Sequence, residues 1–145
     1  MRSILIFLIL FGCSSYSNLF LARKYSRQGS FDKAEAEYLR FLSQVGDKNK
    51  DKKVYYTLEL CDFYIANASL EKAESCLSNL KTYSEYSAMI VPRIKNLVIR
   101  LTENQGLDLA SKVLQKFLPL DPEYLEGIYD SLAKTYLNQQ KTNNR

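Results

Sequence analysis

The spacing of apolar residues between a few helix breakers is the feature that most constrains how this chain folds. Only five glycines and three prolines occur in 145 residues. Between them apolar side chains recur every three or four positions, which is the period of an amphipathic helix. No stretch alternates strictly enough between apolar and polar residues to indicate a strand. The sequence therefore predicts an all-α fold, with helices over residues 19–28, 31–44, 54–67, 70–83, 90–104, 107–118 and 123–140.

The first six of these helices form pairs that repeat along the chain. The second helix of each pair carries a small residue at a matching position, namely Ala34, Ala73 and Ala110, which are 39 and 37 residues apart. A near-constant interval of this size indicates a repeat of helix pairs. Ser30 and Ser69 precede second helices and are predicted to be N-caps.

The residues around these alanines resemble the tetratricopeptide repeat (TPR) family. In the first pair, LARKY at 21–25 and GSFDKAEAEY at 29–38 carry the family's pattern of apolar, small and aromatic residues. The second pair follows it with Leu60, Cys61 and Tyr64 in its first helix, and the third pair follows it more loosely. The resemblance implies a right-handed superhelical stack of about three TPR-like helix pairs over residues 19–140, ending in a lone C-terminal capping helix.

The N-terminus reads as an export signal. Met1-Arg2-Ser3 precedes an apolar run over residues 4–11, which is too short for a membrane-spanning helix of about 20 residues. Leu10-Phe11-Gly12-Cys13 resembles the lipobox of bacterial lipoproteins. This resemblance implies cleavage before Cys13 and acylation of Cys13 by fatty chains such as palmitate. The alternative is an ordinary signal peptide in which Cys13 is incidental.

These features predict a domain layout and a location. Residues 1–12 are the signal peptide, residues 13–18 an acylated tether, and residues 141–145 a disordered tail. Ser14 resembles the residue that permits transfer to an outer membrane, so the expected location is the bacterial cell envelope, lipid-anchored, at the outer membrane. Cys61 and Cys76 are interpreted as two reduced, buried thiols on helices, although an exported chain can also form a disulfide.

Composition excludes several classes of function. The net charge is +4, and the 25% of charged residues are of both signs without a clustered basic patch, which argues against nucleic-acid binding. The charge-rich run at 47–53 is interpreted as a solvated loop. The chain has no histidine, the commonest general base, and no phosphate-binding loop or metal-ligand cluster. The sequence therefore predicts neither an enzyme nor a cofactor or metal site.

The resemblance implies a membrane-anchored adaptor, or scaffold, that binds protein or peptide segments on the concave face lined by the first helices. The alternative is an accessory subunit of an envelope machine for barrel assembly, pilus biogenesis or secretion, docking by the edges of its stack. In the adaptor, Arg23 and Arg27 are expected to select acidic flanks of the ligand, and the capping helix contributes Asp130 and Lys134. An alternative interpretation of Leu58, Ile65 and Ile99 is that they pack against neighbouring helices. The predicted partner-facing residues are Leu19, Arg23, Arg27, Tyr55, Leu58, Asp62, Ile65, Lys95 and Ile99.

Overall fold

The computed structural model describes residues 16–46 and 49–143. The predicted signal peptide and Cys13 lie outside these residues. Within the described ranges the chain is helical and contains no strand, which confirms the predicted all-α class. None of the helices described is both long and apolar enough to cross a bilayer.

In the described part of the chain, seven α-helices follow one another in the predicted order. The first, α1, covers residues 16–27. The others are α2 (Phe31–Gln44), α3 (Lys50–Ala66), α4 (Leu70–Ser78), α5 (Ser87–Gln105), α6 (Leu107–Phe117) and α7 (Pro122–Asn143). Short 3-10 turns at Ser84–Tyr86 and Leu118–Leu120 precede α5 and α7.

The helix ends differ from the prediction where apolar periodicity carries no information. α3 begins at Lys50 rather than residue 54, because a polar first turn shows no apolar spacing; the Asn49 side chain accepts a hydrogen bond from the backbone N–H of Lys52. α4 ends at Ser78 rather than residue 83, although Leu80 keeps the apolar pattern and is buried. α7 extends to Asn143, into the range 141–145 predicted as the tail, and α1 begins at residue 16, within the range 13–18 predicted as the tether.

The turns inside the first two helix pairs have the same geometry. The N–H of Ser30 donates to the carbonyl of Tyr25 at 2.9 Å, and the N–H of Ser69 donates to the carbonyl of Tyr64 at 2.9 Å. Both turns pass through a left-handed residue, Gly29 at φ 71° and Ala68 at φ 55°. Ser30 and Ser69 occupy the N-cap positions as predicted, but in this described part of the chain neither hydroxyl makes the capping hydrogen bond.

The aligned small residues lie at the centres of the helix contacts. Ala34, Ala73 and Ala110 have no exposed surface. The residues at the matching small positions of α1, α3 and α5 also have none: Ala22, Cys61 and Val98. The repeat spacing read from the sequence therefore identifies positions where helices pack closely.

The chain divides into two compact units, Met1–Leu60 and Cys61–Arg145. The boundary lies within α3. In the first unit, side-chain hydrogen bonds connect α1 and α2 to the first part of α3. In the second unit, α5 packs against α4, α6 and α7, and α6 packs against α7.

A disulfide between Cys61 and Cys76 joins α3 to α4 in the second unit. The two Cα atoms are 5.6 Å apart, within the range that a disulfide requires. The preferred interpretation of two reduced thiols is therefore wrong. Sequence spacing could not decide this, because it does not give the distance between two residues on different helices.

Candidate functional site

A recess of about 620 Å³ opens between α5 and α7 in the second unit. Lys95 and Ile99 line it from α5, both of them predicted partner-facing residues. From α7, Tyr124, Ile128 and Leu132 line it; they share one face because they are spaced by four residues. Tyr124 is 46% exposed, which is unusual for a large aromatic side chain. We call this depression the α5/α7 recess.

A second recess, of about 540 Å³, lies between the end of α3 and α5. Asp62 and Ile65 line it from α3, and Asn96, Ile99 and Arg100 line it from α5. We call it the α3/α5 recess. Ile99 borders both recesses, so the two depressions adjoin along α5. Four of the predicted partner-facing residues thus lie in one continuous region of the second unit.

Charged side chains lie at both recesses. Arg93 on α5 forms an ion pair with Asp62 on α3, with Nη2 2.9 Å from Oδ2, and its Nη1 also donates to the Met89 carbonyl at 2.7 Å. Lys95 stands at the α5/α7 recess together with Asp121 and Glu123. Apolar side chains with charges of both signs beside them suit the binding of a protein segment. The apolar side chains provide contact area, and the charges fix the position of the bound segment along the recess.

The first unit has a separate recess of about 420 Å³ on α1. Leu19 is 3% exposed and lies at its floor, between the exposed Phe20 and the basic residues Arg23 and Arg27. All seven residues that line this recess belong to α1 or to the turn after it: Tyr16, Leu19, Phe20, Arg23, Lys24, Arg27 and Gln28. We call this surface the α1 face.

Arg23 is already engaged within the first unit. Its Nε and Nη2 donate to the two carboxylate oxygens of Glu59, each at 2.7 Å, and the Tyr38 hydroxyl donates to Glu59 Oε1 at 3.0 Å. This cluster connects α1, α2 and α3. Glu59 holds Nε and Nη2 of the guanidinium while the Arg23 side chain remains 44% exposed, so its role in selecting an acidic flank stays a prediction.

The cluster shifts the pKa of each of its members. Burial of the Glu59 carboxyl favours its neutral form, but hydrogen bonds from Arg23 and Tyr38 outweigh burial and lower its pKa below the ordinary value. The hydrogen bond to Glu59 raises the pKa of Arg23. Burial, and then the negative charge of Glu59, raise the pKa of the Tyr38 hydroxyl. The ion pair is therefore formed throughout the neutral range.

One predicted partner-facing residue has no exposed surface, and two others have only a small exposed fraction. Leu58 has no exposed area and belongs to the core, as the packing interpretation has it. Ile65 is 7% exposed and, like Leu19, reaches the surface only at the floor of a recess. Tyr55 is 54% exposed and its ring meets that of Tyr56 edge-on at 5.2 Å between centroids.

The contribution of α7 differs from the one predicted. Asp130 lies not in the α5/α7 recess but in a smaller depression of about 370 Å³ against α6, together with Tyr129 and Glu126. The residues that do line the α5/α7 recess, Tyr124, Ile128 and Leu132, were missed. Their spacing of four residues was a usable signal, since it marks one apolar stripe on α7.

Comparison with known proteins gives no assignment: no protein-family model, curated protein or solved structure matches this chain.

Proposed function

We propose that the chain is a membrane-anchored, TPR-like lipoprotein that acts as a protein–protein interaction adaptor in the bacterial cell envelope. The observation that carries the proposal is the pair of adjoining recesses along α5. They lie on the long helices α3, α5 and α7, which hold the first-helix positions of successive pairs. A right-handed stack of such pairs would place these helices on its concave side.

The packing within the second unit supports the repeat architecture. α5 packs against the next helix and also against the next but one, α7. That is the pattern in which the first helix of one pair meets the first helix of the following pair. The fully buried Ala73 and Ala110 and the matching turns at Gly29 and Ala68 agree with it. Each helix pair leaves an apolar side that only a neighbouring pair can cover.

The disulfide supports the location. Disulfides persist in oxidising compartments such as the bacterial periplasm and are rare in the cytosol. The bond between Cys61 and Cys76 therefore fits a chain that is exported by the signal at residues 1–12 and acylated at Cys13. The absence of histidine and of a phosphate-binding loop from the sequence supports binding rather than catalysis.

One observation favours the alternative, an accessory subunit that docks by an edge of its stack. Away from the α5/α7 recess, α7 exposes the large side chains of Tyr129 (41%) and Leu137 (58%). The depression against α6 that holds Tyr129 is smaller than the recesses along α5. The concave-side adaptor therefore remains the first proposal.

Site-specific cross-linking in intact cells distinguishes the two. A photoreactive phenylalanine analogue is placed at position 124 in the α5/α7 recess, at position 129 on the α6 side, and at the exposed position 39 of α2 as a background control. The adaptor predicts a specific protein adduct from position 124. An adduct from position 129 alone would support edge docking, and no adduct above the position 39 background at either place would contradict both.

The affinity for the captured partner then tests the recess directly. Tyr124→Ala is expected to weaken binding about tenfold or more, because a half-exposed aromatic in a recess is a typical anchor. Tyr129→Ala is a matched control on the same helix, with nearly the same exposure (41% against 46%), and should bind like the wild type. Equal losses in both variants would show that the recess is not the binding surface.

A further inference from the structure

The α1 face combines exposed aromatic rings with unpaired cations. Phe20 is 67% exposed and Tyr16 is 53% exposed, and Lys24 and Arg27 follow within the next two turns on the same side. Residues 16–27 contain three basic residues and no acidic one. In the described part of the chain, the side chains of Lys24 and Arg27 form no ion pair.

Exposed aromatics beside lysine and arginine are the composition of helices that lie in the plane of a membrane surface. Tyrosine rings prefer the level of the lipid headgroups, and phenylalanine rings of such helices are buried at the boundary between headgroups and acyl chains. Cations near an anionic surface are attracted by about 1 kcal/mol each, which is about fivefold in partitioning. Arg23 adds little to this, because Glu59 neutralises it.

The position of the α1 face in the chain identifies what covers it. Tyr16 follows Cys13 by three residues, and an extended chain advances at most about 3.6 Å per residue. Acyl chains on Cys13 would therefore hold Tyr16 within about 11 Å of the lipid in any conformation of the intervening residues. The start of the α1 face is therefore held close to the bilayer, which makes lipid the nearest surface to Tyr16.

We infer that the α1 face lies on an anionic bilayer surface, with Tyr16 and Phe20 among the headgroups and Lys24 and Arg27 paired with lipid phosphates. The inference rests on the proposed lipid anchor. It adds a second membrane contact, made by α1, to the anchor at Cys13. This contact fixes the orientation of the protein relative to the membrane.

The chain contains no tryptophan, so a single substitution supplies an unambiguous probe. The full chain carrying Phe20→Trp is purified from the membrane fraction and reconstituted in vesicles of phosphatidylcholine with about 30% phosphatidylglycerol. The phosphatidylglycerol gives the vesicles the anionic surface that attracts lysine and arginine. Brominated lipids should quench its fluorescence and the emission should shift to the blue. Tyr124→Trp, a similarly exposed aromatic position on α7, should show neither effect.

Charge reversal tests the attraction of Lys24 and Arg27 to anionic lipid. In the Phe20→Trp background, Lys24→Glu with Arg27→Glu should remove most of the quenching. Added salt, which screens this attraction, should weaken quenching in the parent variant but not in the reversed one. Lys52→Glu with Lys112→Glu changes the net charge equally at exposed positions elsewhere and should leave quenching unchanged. Quenching that is the same in pure phosphatidylcholine, or the same after the Lys24 and Arg27 reversal, would overturn the inference.

Anchoring is measured separately, so that its failure is distinguishable. Fatty-acid labelling and vesicle flotation of the wild type and of Cys13→Ser report acylation, and equal labelling of both would reject the lipid anchor. A chain that labels and floats but shows no quenching at position 20 has an anchor without α1 contact. A chain that does not label is mixed with the same vesicles, and an unquenched Trp at position 20 again overturns the inference. A Trp at position 20 that is blue-shifted but unquenched also overturns it, because it shows that a second copy of the chain, rather than lipid, covers the α1 face.

Discussion

Six small or compact side chains are fully buried at matching positions of the described helices. Ala34, Ala73 and Ala110 on the second helices have no exposed surface, and neither do the residues at matching places on the first helices. A small side chain at such a place lets two helices approach closely, and enlarging it requires the surrounding atoms to shift. These positions were identified by spacing alone, because helices of similar geometry repeat the same close contact.

We expect Ala34→Leu to destabilise the protein by about 1–3 kcal/mol, because the added methylene groups have no free space. Ala36→Leu lies two residues away on the same helix at an exposed position and is the matched control, expected to stay within about 0.5 kcal/mol of the wild type. Urea unfolding followed by circular dichroism measures both. An unchanged midpoint and slope for Ala34→Leu would show that α2 can move aside at no cost.

The Glu59 cluster gives the first unit a defined pH dependence. The folded state lowers the pKa of Glu59, so its contribution is fully present above the unfolded value of 4.5 and is lost as the pH falls through the lower folded value. Glu59→Gln should therefore cost about 1 kcal/mol at pH 7, since the ion pair with Arg23 is bidentate but partly exposed. That difference should shrink steadily below pH 4.5.

The control for this prediction is Glu71→Gln on α4, an exposed carboxylate. Its stability difference from the wild type should be small. Free energies of unfolding from urea titrations between pH 3 and pH 7 give both profiles. A Glu59→Gln penalty that persisted at pH 3 would mean that packing of the side chain, and not its charge, stabilises the cluster.

At the scale of the helices, the sequence was sufficient for number, order and most boundaries. Apolar periodicity marks the parts of a helix that pack, so it misses a polar first turn such as that of α3. The apolar pattern also continues past the end of α4, because Leu80 is buried although it lies in the turn that follows the helix. The backbone N–H of Leu80 donates to the carbonyl of Leu77, three residues back, instead of continuing the α-helical pattern. Backbone hydrogen bonds, rather than side-chain burial, decide where a helix stops.

The candidate site was predictable only on helices that have one apolar side. α5 has such a side, and Lys95 and Ile99, both predicted to face a partner, line the α5/α7 recess. α3 is apolar nearly all round: Leu58, Leu60, Phe63, Tyr64 and Ile65 are all buried. Periodicity therefore could not tell which of its residues reach the surface, and Leu58 was misplaced. The engagement of Arg23 by Glu59 joins residues 36 positions apart, which no local pattern reveals.

At the scale of the whole molecule, we expect stability to be divided between the two compact units. Helix pairs that contact mainly their neighbours can open separately, since their stability is roughly a sum of local contributions. The disulfide lies entirely within the second unit, where it closes a loop with a sequence separation of 15 between Cys61 and Cys76. A cross-link that closes a loop of that length lowers the entropy of the unfolded chain and so stabilises the folded state by about 3 kcal/mol.

Reduction of the disulfide should therefore weaken the second unit selectively. Amide hydrogen exchange followed by mass spectrometry, before and after a thiol reductant, should show protection falling in α4, α5 and α6 by up to about 3 kcal/mol. Protection in α2 should stay the same. The double variant Cys61→Ala with Cys76→Ala should exchange like the reduced protein and respond no further to reductant, which excludes a solvent effect. If α2 lost as much protection as α5, the two units would unfold as one, and the disulfide would stabilise the molecule as a whole.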